Sequence, residues 1–296
     1  MGELFLNVIL PIYLLIGLGF FSGKAWKDLE TKTISTIVLY FFAPALIFSS
    51  FRELSLSFNS FSCISLTALG VFFGVYLFSV LSELLFLKRR DPAFELSSTV
   101  MNAGYMGIPL ILLMFGERAL PVALTYMVVM AVYHFTLGIV VLKGSLKDGL
   151  ISALKIPLVY ALFLSFLLKE VELPPGIEKM VKLSGDATLP LMLFSIGISL
   201  SRIDLSEVKL SLIGTSIRFL GGTLTALFFS KLLGCSPLLQ KVLVVQSSLP
   251  SAILNYVLCE KFNASPQTAA SIIFVSTLMY PVYLIFIKFF MIVLIH

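Results

Sequence analysis

The sequence predicts an all-α membrane protein of ten transmembrane helices, arranged as two inverted five-helix repeats in which helices 4 and 9 are broken and cross. Three observations predict it. Of the 296 residues, 58% are hydrophobic and only 12% charged, with a mean hydropathy of +1.03, whereas a soluble domain carries about 25% charged residues. The apolar residues gather into ten runs, most near the ~20 residues that a bilayer-spanning helix needs. Prolines recur through the two halves of the chain at a near-constant spacing.

The runs are Leu4–Phe21, Ile34–Phe51, Phe61–Leu87, Leu96–Phe115, Leu120–Leu142, Leu154–Leu168, Val181–Leu200, Leu210–Leu233, Leu238–Cys259 and Thr268–Ile295. Glu3, rather than a basic region, precedes the first, so it reads as a retained span and not a cleaved signal peptide. The connections are short, and Pro174-Pro175-Gly176 marks a sharp turn between the sixth and seventh runs.

The fourth run carries Asn102-Ala103-Gly104-Tyr105-Met106-Gly107-Ile108-Pro109. Pro109 lacks an N–H and its ring crowds the carbonyl of Tyr105, at a cost of roughly 3 kcal/mol in a continuous helix. Gly104 and Gly107 let the chain leave helical dihedrals cheaply. A broken helix at membrane depth survives only where protein or a water-filled cavity satisfies its backbone, so this stretch is the candidate binding site. The ninth run has its counterpart in Gln246-Ser247-Ser248-Leu249-Pro250-Ser251, where Pro250 crowds the carbonyl of Gln246.

These two breaks belong to a repeat. Pro11 and Pro157, like Pro44 and Pro190, stand 146 residues apart; Pro92 and Pro237, like Pro121 and Pro266, stand 145 apart; Pro109 and Pro250 stand 141 apart. The chain then divides into residues 1–148 and 149–296, each with five spans. An odd number inverts the second copy, the plan of many secondary transporters, and brings the two breaks face to face.

Twelve basic residues against eight fall on the inner side if both termini are outside, and that excess sets the expected orientation in the plasma (inner) membrane. Cys63, Cys235 and Cys259 sit in or beside apolar runs at no metal-ligand spacing, and their odd number gives no disulfide framework; they read as small core residues.

Among the polar residues, Asn102 offers a side-chain amide that donates to a carboxylate without burying a full charge; the competing reading is an interhelical hydrogen bond. Asn255, Gln246 and Ser248 are the second-repeat candidates. The half-helices that begin after each break direct N–H groups and partial positive charge into the gap, which favours an anion, although carbonyl ends are present too and could hold Na⁺. Arg218 stands in the middle of the eighth run, where an arginine costs about 2.5–3.5 kcal/mol; it either holds a substrate carboxylate or pairs with an acid such as Glu83 or Asp186. Asp186, Glu83 and Glu95 lie near span ends and, with Glu260, are candidates for a coupling ion beside the ordinary reading of solvated charges. His134 reads as a packing histidine that could also titrate near neutral pH.

Asn102 to Leu110 followed by Phe115-Gly116-Glu117-Arg118 resembles the first crossover of the auxin efflux carrier family, and Leu249-Pro250, Asn255-Tyr256 and Glu260-Lys261-Phe262 resemble the second. Tyr40 to Phe48 and Leu193 to Gly197 agree as well, so the resemblance covers nearly the whole chain. It implies a fold like that of bile-acid sodium symporters, with a scaffold of helices 1, 2, 6 and 7 beside a transport core of helices 3–5 and 8–10, a homodimer and an elevator-type motion. It places a substrate-binding asparagine at Asn102. In the related symporters an acid in the ninth span binds sodium, which is what Glu260 would match. The large cytoplasmic loop of many plant carriers is missing between Leu142 and Leu154, which fits a compact prokaryotic member and argues against auxin; the resemblance to bacterial members implies small carboxylates such as malate.

The expected function is therefore secondary transport of a small organic anion, with no cofactor, metal or nucleic-acid partner. No glycine loop with Lys-Ser or Lys-Thr suggests ATP use. The rivals are a sodium-coupled symporter, a channel or sensor, and an intramembrane enzyme; for the last, only His134 and His296 are available to a metal centre and Asp186 has no clear acid partner.

Overall fold

The computed structural model describes residues 2–53, 57–203 and 207–294. His296 and the expected end of the tenth run at Ile295 lie outside the described residues. The helices are α1 (Gly2–Ala25), α2 (Thr31–Arg52) and α3 (Phe58–Phe86), then α4 (Pro92–Thr99) and α5 (Gly107–Phe115), α6 (Glu117–Lys143), α7 (Leu146–Ala153) and α8 (Pro157–Leu167), α9 (Pro175–Leu200) and α10 (Val208–Leu232), α11 (Pro237–Ser247) and α12 (Ile253–Lys261), and α13 (Pro266–Leu294). Among the described residues the only β pairing is one isolated bridge, Met101 with Ser251.

Local chemistry sets the starts. The Ser57 hydroxyl accepts the Ser60 N–H at 3.2 Å ahead of α3, and the Asp91 carboxylate accepts the Ala93 N–H at 2.9 Å ahead of α4, each satisfying a first-turn donor. Proline stands in the first turn of α4, α8, α9 and α11, where its missing N–H costs nothing. Ile156 is extended before Pro157, as a residue preceding proline prefers. The sixth apolar run is accordingly split from the helical residues upstream of it: α7 occupies what reads as a connection, and α7 and α8 meet at a 48° bend.

Among the described residues seven helices are long and apolar enough to cross a membrane, or eight if α7 and α8 form one span. The four short helices flanking the two breaks hold 8, 9, 11 and 9 residues. At 1.5 Å per residue each reaches about 12–17 Å, half of a ~30 Å hydrocarbon core.

The helices pack in two groups. In one, α9 lies along α1, and α2 packs on α8 and α9. Gly19 and Gly197 make the first contact: a Cβ at Gly19 would overlap the Phe194 carbonyl, and one at Gly197 would overlap the carbonyl oxygen of Ile16. Small residues substitute for a hydrophobic driving force here, because lipid tails are as apolar as leucine. In the other group, α3 packs on α4, α6 and α10, α10 on α11 and α13, and α13 on α4 and α12.

Two sequence expectations need correction. Cys63, near the start of α3, and Cys235, just before α11, form a disulfide across a Cα–Cα distance of 6.0 Å; residues 172 apart in sequence are brought together by the packing of α3 on the α10–α11 corner, which no spacing rule reveals. Only Cys259 is a free buried cysteine among the described residues. Arg218 contacts neither Glu83 nor Asp186: Glu83 pairs with Arg90 at 3.5 Å, and Asp186 lies exposed on α9.

Replacing Gly197 with valine should force α1 and α9 apart and cost about 1–3 kcal/mol, the usual range for overpacking. Thermal unfolding of the detergent-purified variant measures it, and an unchanged transition would show that this contact does not hold the two helices together.

Candidate functional site

Each interrupted run holds the end of one helix and the start of another, and the loose ends meet. α4 stops at Thr99 and α5 begins at Gly107; α11 stops at Ser247 and α12 begins at Ile253. The first break lies upstream of the position its proline suggests. Pro109 is the third residue of α5, in the first turn, where an absent N–H leaves no acceptor wanting. The chain turns instead at residues 103–106. Pro250 lies within the second break itself.

Across the crossing the two strands of chain pair antiparallel. The Asn102 N–H donates to the Pro250 carbonyl at 2.8 Å and the Ala252 N–H to the Val100 carbonyl at 3.0 Å. Asn255 adds to this: its Nδ2 donates to the Val100 carbonyl and to Ser251 Oγ, both at 3.0 Å. The Ser251 N–H in turn donates to Ser276 Oγ of α13 at 3.1 Å. Asn255 therefore works as a cross-brace, although its Oδ1 keeps no partner.

Arg218 closes the other side. It is fully buried, and it donates from Nη1 to the carbonyls of Ser98 (3.3 Å) and Thr99 and from Nη2 to the carbonyl of Ser247 at 2.6 Å. These are the carbonyl ends of α4 and α11, where partial negative charge accumulates. Gly222, one turn further along α10, makes room: a Cβ there would overlap both the Ser247 carbonyl and the guanidinium. The backbone of α10 is locally wound as a π-helix over Ile217–Gly221, a distortion frequent at functional positions. Among the described residues no acid lies within ion-pair distance of Arg218.

The remaining candidates fall into three sets. Gln246 is fully buried against Gly107, whose absent side chain leaves space for the amide, and neither Gln246 Oε1 nor Nε2 finds a protein partner. Asn102 is 8% exposed, and its side-chain amide makes no hydrogen bond among the described residues. Gly104 and Tyr105 are half-buried in the turn, with Tyr105 reaching Ser35 of α2. The Ser248 hydroxyl, by contrast, is spent on the Val245 carbonyl at 2.8 Å. Donors at the start of α5 are also spent, because the N–H groups of Gly107 and Ile108 bond the carbonyls of Asn102 and Gly104. Those of Ile253 and Leu254 at the start of α12 make no hydrogen bond among the described residues. Glu260 is exposed at the far end of α12, away from the crossing. His134 sits beside Asn255, with its Nε2 unpartnered.

Tyr126 and Tyr280 escape a sequence reading because nothing distinguishes them from other aromatics in apolar runs. Both are fully buried here. The Tyr126 hydroxyl lies 2.7 Å from Ser247 Oγ; Tyr280 faces Ser248, but its hydroxyl makes no hydrogen bond among the described residues. The available signal is indirect: a buried tyrosine needs a partner for its hydroxyl, and the breaks are where polar partners concentrate.

Comparison with known proteins gives a consistent result. Residues 4–288 match the family model described as membrane transport protein. An uncharacterized transporter of Methanocaldococcus jannaschii is 30% identical, covering 92% of this chain and 94% of the relative. A protein of Rhizobium meliloti named as a candidate malonate transporter is 25% identical over 92% of the chain and 91% of its own length. Auxin efflux carrier component 1 of Arabidopsis thaliana is 26% identical over 39% of this chain and 19% of its own length.

Removal of the guanidinium in Arg218→Met should leave three buried carbonyls without their donor, at about 1–3 kcal/mol each, and lower the unfolding temperature markedly. Gly222→Ala should reproduce part of the loss by displacing Nη2. If Arg218→Met unfolds like the wild type, the guanidinium is not what ties the two half-helices.

Proposed function

The chain belongs to the membrane transport protein family, which includes auxin efflux carriers, and we propose that it is a secondary transporter of a small organic anion that binds at the crossing of the two broken helices. One observation carries the reading. The crossing gathers a fully buried arginine, an unengaged Asn102 amide and an unpartnered Gln246 amide, with no acid beside the arginine among the described residues. A buried cation without a counter-ion is costly, and a carboxylate is the ligand that relieves it.

On this reading the paired half-helices are two further spans, giving ten in inverted repeats. The packing of α1, α2, α8 and α9 supports a scaffold beside a core made of the other helices. The core slides as a unit and carries the occluded crossing past the scaffold, where Tyr105 touches Ser35 and the Tyr13 hydroxyl donates to the Thr277 carbonyl at 2.7 Å. A homodimer forms through the scaffold. Both termini lie outside the plasma membrane, because the Cys63–Cys235 disulfide then falls on the oxidising side.

The position of Arg218 favours this carrier over a sodium-coupled one. In carriers with broken helices the carbonyl ends of the half-helices are the usual cation site, and here a guanidinium already bonds them. The named transporters among the relatives weigh against an enzyme, and the candidate malonate transporter suggests a dicarboxylate of that size as the first ligand to test.

Malonate should raise the unfolding temperature of the purified protein, and Asn102→Ala should weaken that effect about tenfold or more, the equivalent of a hydrogen bond to a charged group at roughly 1.5–3 kcal/mol. A shift that survives the substitution takes Asn102 out of the site; no shift with any small carboxylate defeats the anion reading. In proteoliposomes, malonate counterflow should be saturable, unlike a channel's, and unchanged when choline replaces sodium; dependence on sodium would restore the symporter.

A further inference from the structure

A second buried polar cluster lies where α3 ends and α4 begins. Glu83 is fully buried and Glu95 is 2% exposed. Glu83 Oε1 accepts the Asp91 N–H at 2.7 Å. Its Oε2 is buried, makes no hydrogen bond and stands 3.5 Å from Arg90 Nε. That same Nε–H is already given to Glu95 Oε1. Two buried carboxylates thus converge on one N–H, which can satisfy only one of them.

The other charged groups around the pair do not correct the balance. Tyr76 of α3 meets Arg90 through its hydroxyl at 3.4 Å. Asp91, in the connection, spends Oδ1 on its own helix cap and turns Oδ2 toward Thr268 of α13 at 3.3 Å. Glu207, ahead of α10, reaches the same Thr268 at 3.4 Å and pairs with Arg89 at 3.2 Å. Cys259 of α12 lies beside Asp91. Arg90 is the one cation within ion-pair distance of Glu83 or Glu95 among the described residues. Its bond to Glu95 holds it above the usual arginine range, so Arg90 keeps its own proton.

We propose that Glu83 and Glu95 form a proton-binding site, the two carboxyl groups sharing one dissociable proton. Two anions against one cation leave one negative charge uncompensated in a buried place, where an ionised carboxylate is strongly disfavoured. A single proton removes that charge. It supplies the donor that Glu83 Oε2 lacks, since a protonated carboxyl donates to its neighbour.

The site is placed to act on the crossing. Glu95 lies within α4, whose last carbonyl, that of Thr99, is held by Arg218. Glu83 anchors the start of the same helix through the Asp91 N–H. About 12 Å of helix therefore joins the proton to one half of the crossing. If the carrier reading holds, the proton is its coupling ion; the proton site itself stands without that reading.

Infrared difference spectra of the purified full-length protein, titrated between about pH 5 and 9, the span over which buried glutamates titrate, test the site with no ligand present. A carboxylic acid C=O band that disappears as pH rises is expected in the wild type. It should be lost in Glu83→Gln and in Glu95→Gln alike, and retained in Glu260→Gln. Absence of the band from the wild type, or its survival in both glutamine variants, overturns the proposal. Glu83→Asp, which keeps the acid and moves its band, serves if a glutamine variant does not fold. In proteoliposomes an inward acid gradient should drive malonate uptake by the wild type, and Glu95→Gln should lose that drive while keeping counterflow. Failure of malonate and of every other small carboxylate to move, with the infrared band intact, would refute the carrier reading and leave the proton site standing.

Discussion

Hydrocarbon offers a broken helix nothing to bond with, and this constraint organises the structure. Each break strands carbonyls on one side and N–H groups on the other, and each unpaired group costs several kcal/mol in lipid. The chain answers with a second break. Val100 and Asn102 trade hydrogen bonds with Ala252 and Pro250, so each interruption serves as the other's partner. Two breaks can be tolerated where one could not. The mutual pairing also holds the loops in a single register: Asn255 reaches both Val100 and Ser251, and Ser276 fixes Ser251 from behind.

Pairing two loops does not satisfy the carbonyl ends of α4 and α11, which converge on one buried side chain. Arg218 meets them with one planar group, whose two terminal nitrogens reach carbonyls from both helices. A lysine would present a compact point charge in place of that fork. Its route depends on a glycine at 222 and on the π-helical turn at 217–221. Two other buried ionisable side chains in continuous helices, Glu83 and His134, also fall within π-helical segments, each at the first residue where Arg218 is at the second. An extra residue per turn rotates the helix beyond it and frees local carbonyls, which suits positions where a polar group must leave an apolar face.

How much of this is legible in the sequence depends on whether the signal is local. A mid-run Asn-x-Gly-x-x-Gly-x-Pro announces an interruption because glycine and proline act on their own turn of backbone, and both interruptions are present. Its boundary is less legible: Pro109 marks where the second half-helix begins and not where the first one ends, since proline is harmless in a first turn. The burial of Arg218 follows from its place in an apolar run, but its partners are carbonyls on helices more than a hundred residues upstream and some thirty residues downstream, and backbone acceptors leave no mark in a sequence. Looking for acids, the groups that do leave one, leads to Glu83 and Asp186, both wrong. The Cys63–Cys235 bond is hidden for the same reason, as it records packing between distant helices.

The two polar clusters differ in how their charge is arranged. At the crossing a fixed cation is surrounded by neutral acceptors, and the Gln246 amide beside it has no partner among the described residues. At the foot of α4 the excess is negative and carried by carboxyl groups, which can gain or lose a proton where a guanidinium cannot. α4 touches both: Glu95 near its start, Thr99 at its end. A helix of 8 residues spans only about 12 Å, so the first turn that Glu83 holds and the carbonyl that Arg218 holds belong to one short element. Such a link needs no chain of intervening side chains, only a rigid element with both sites at its ends.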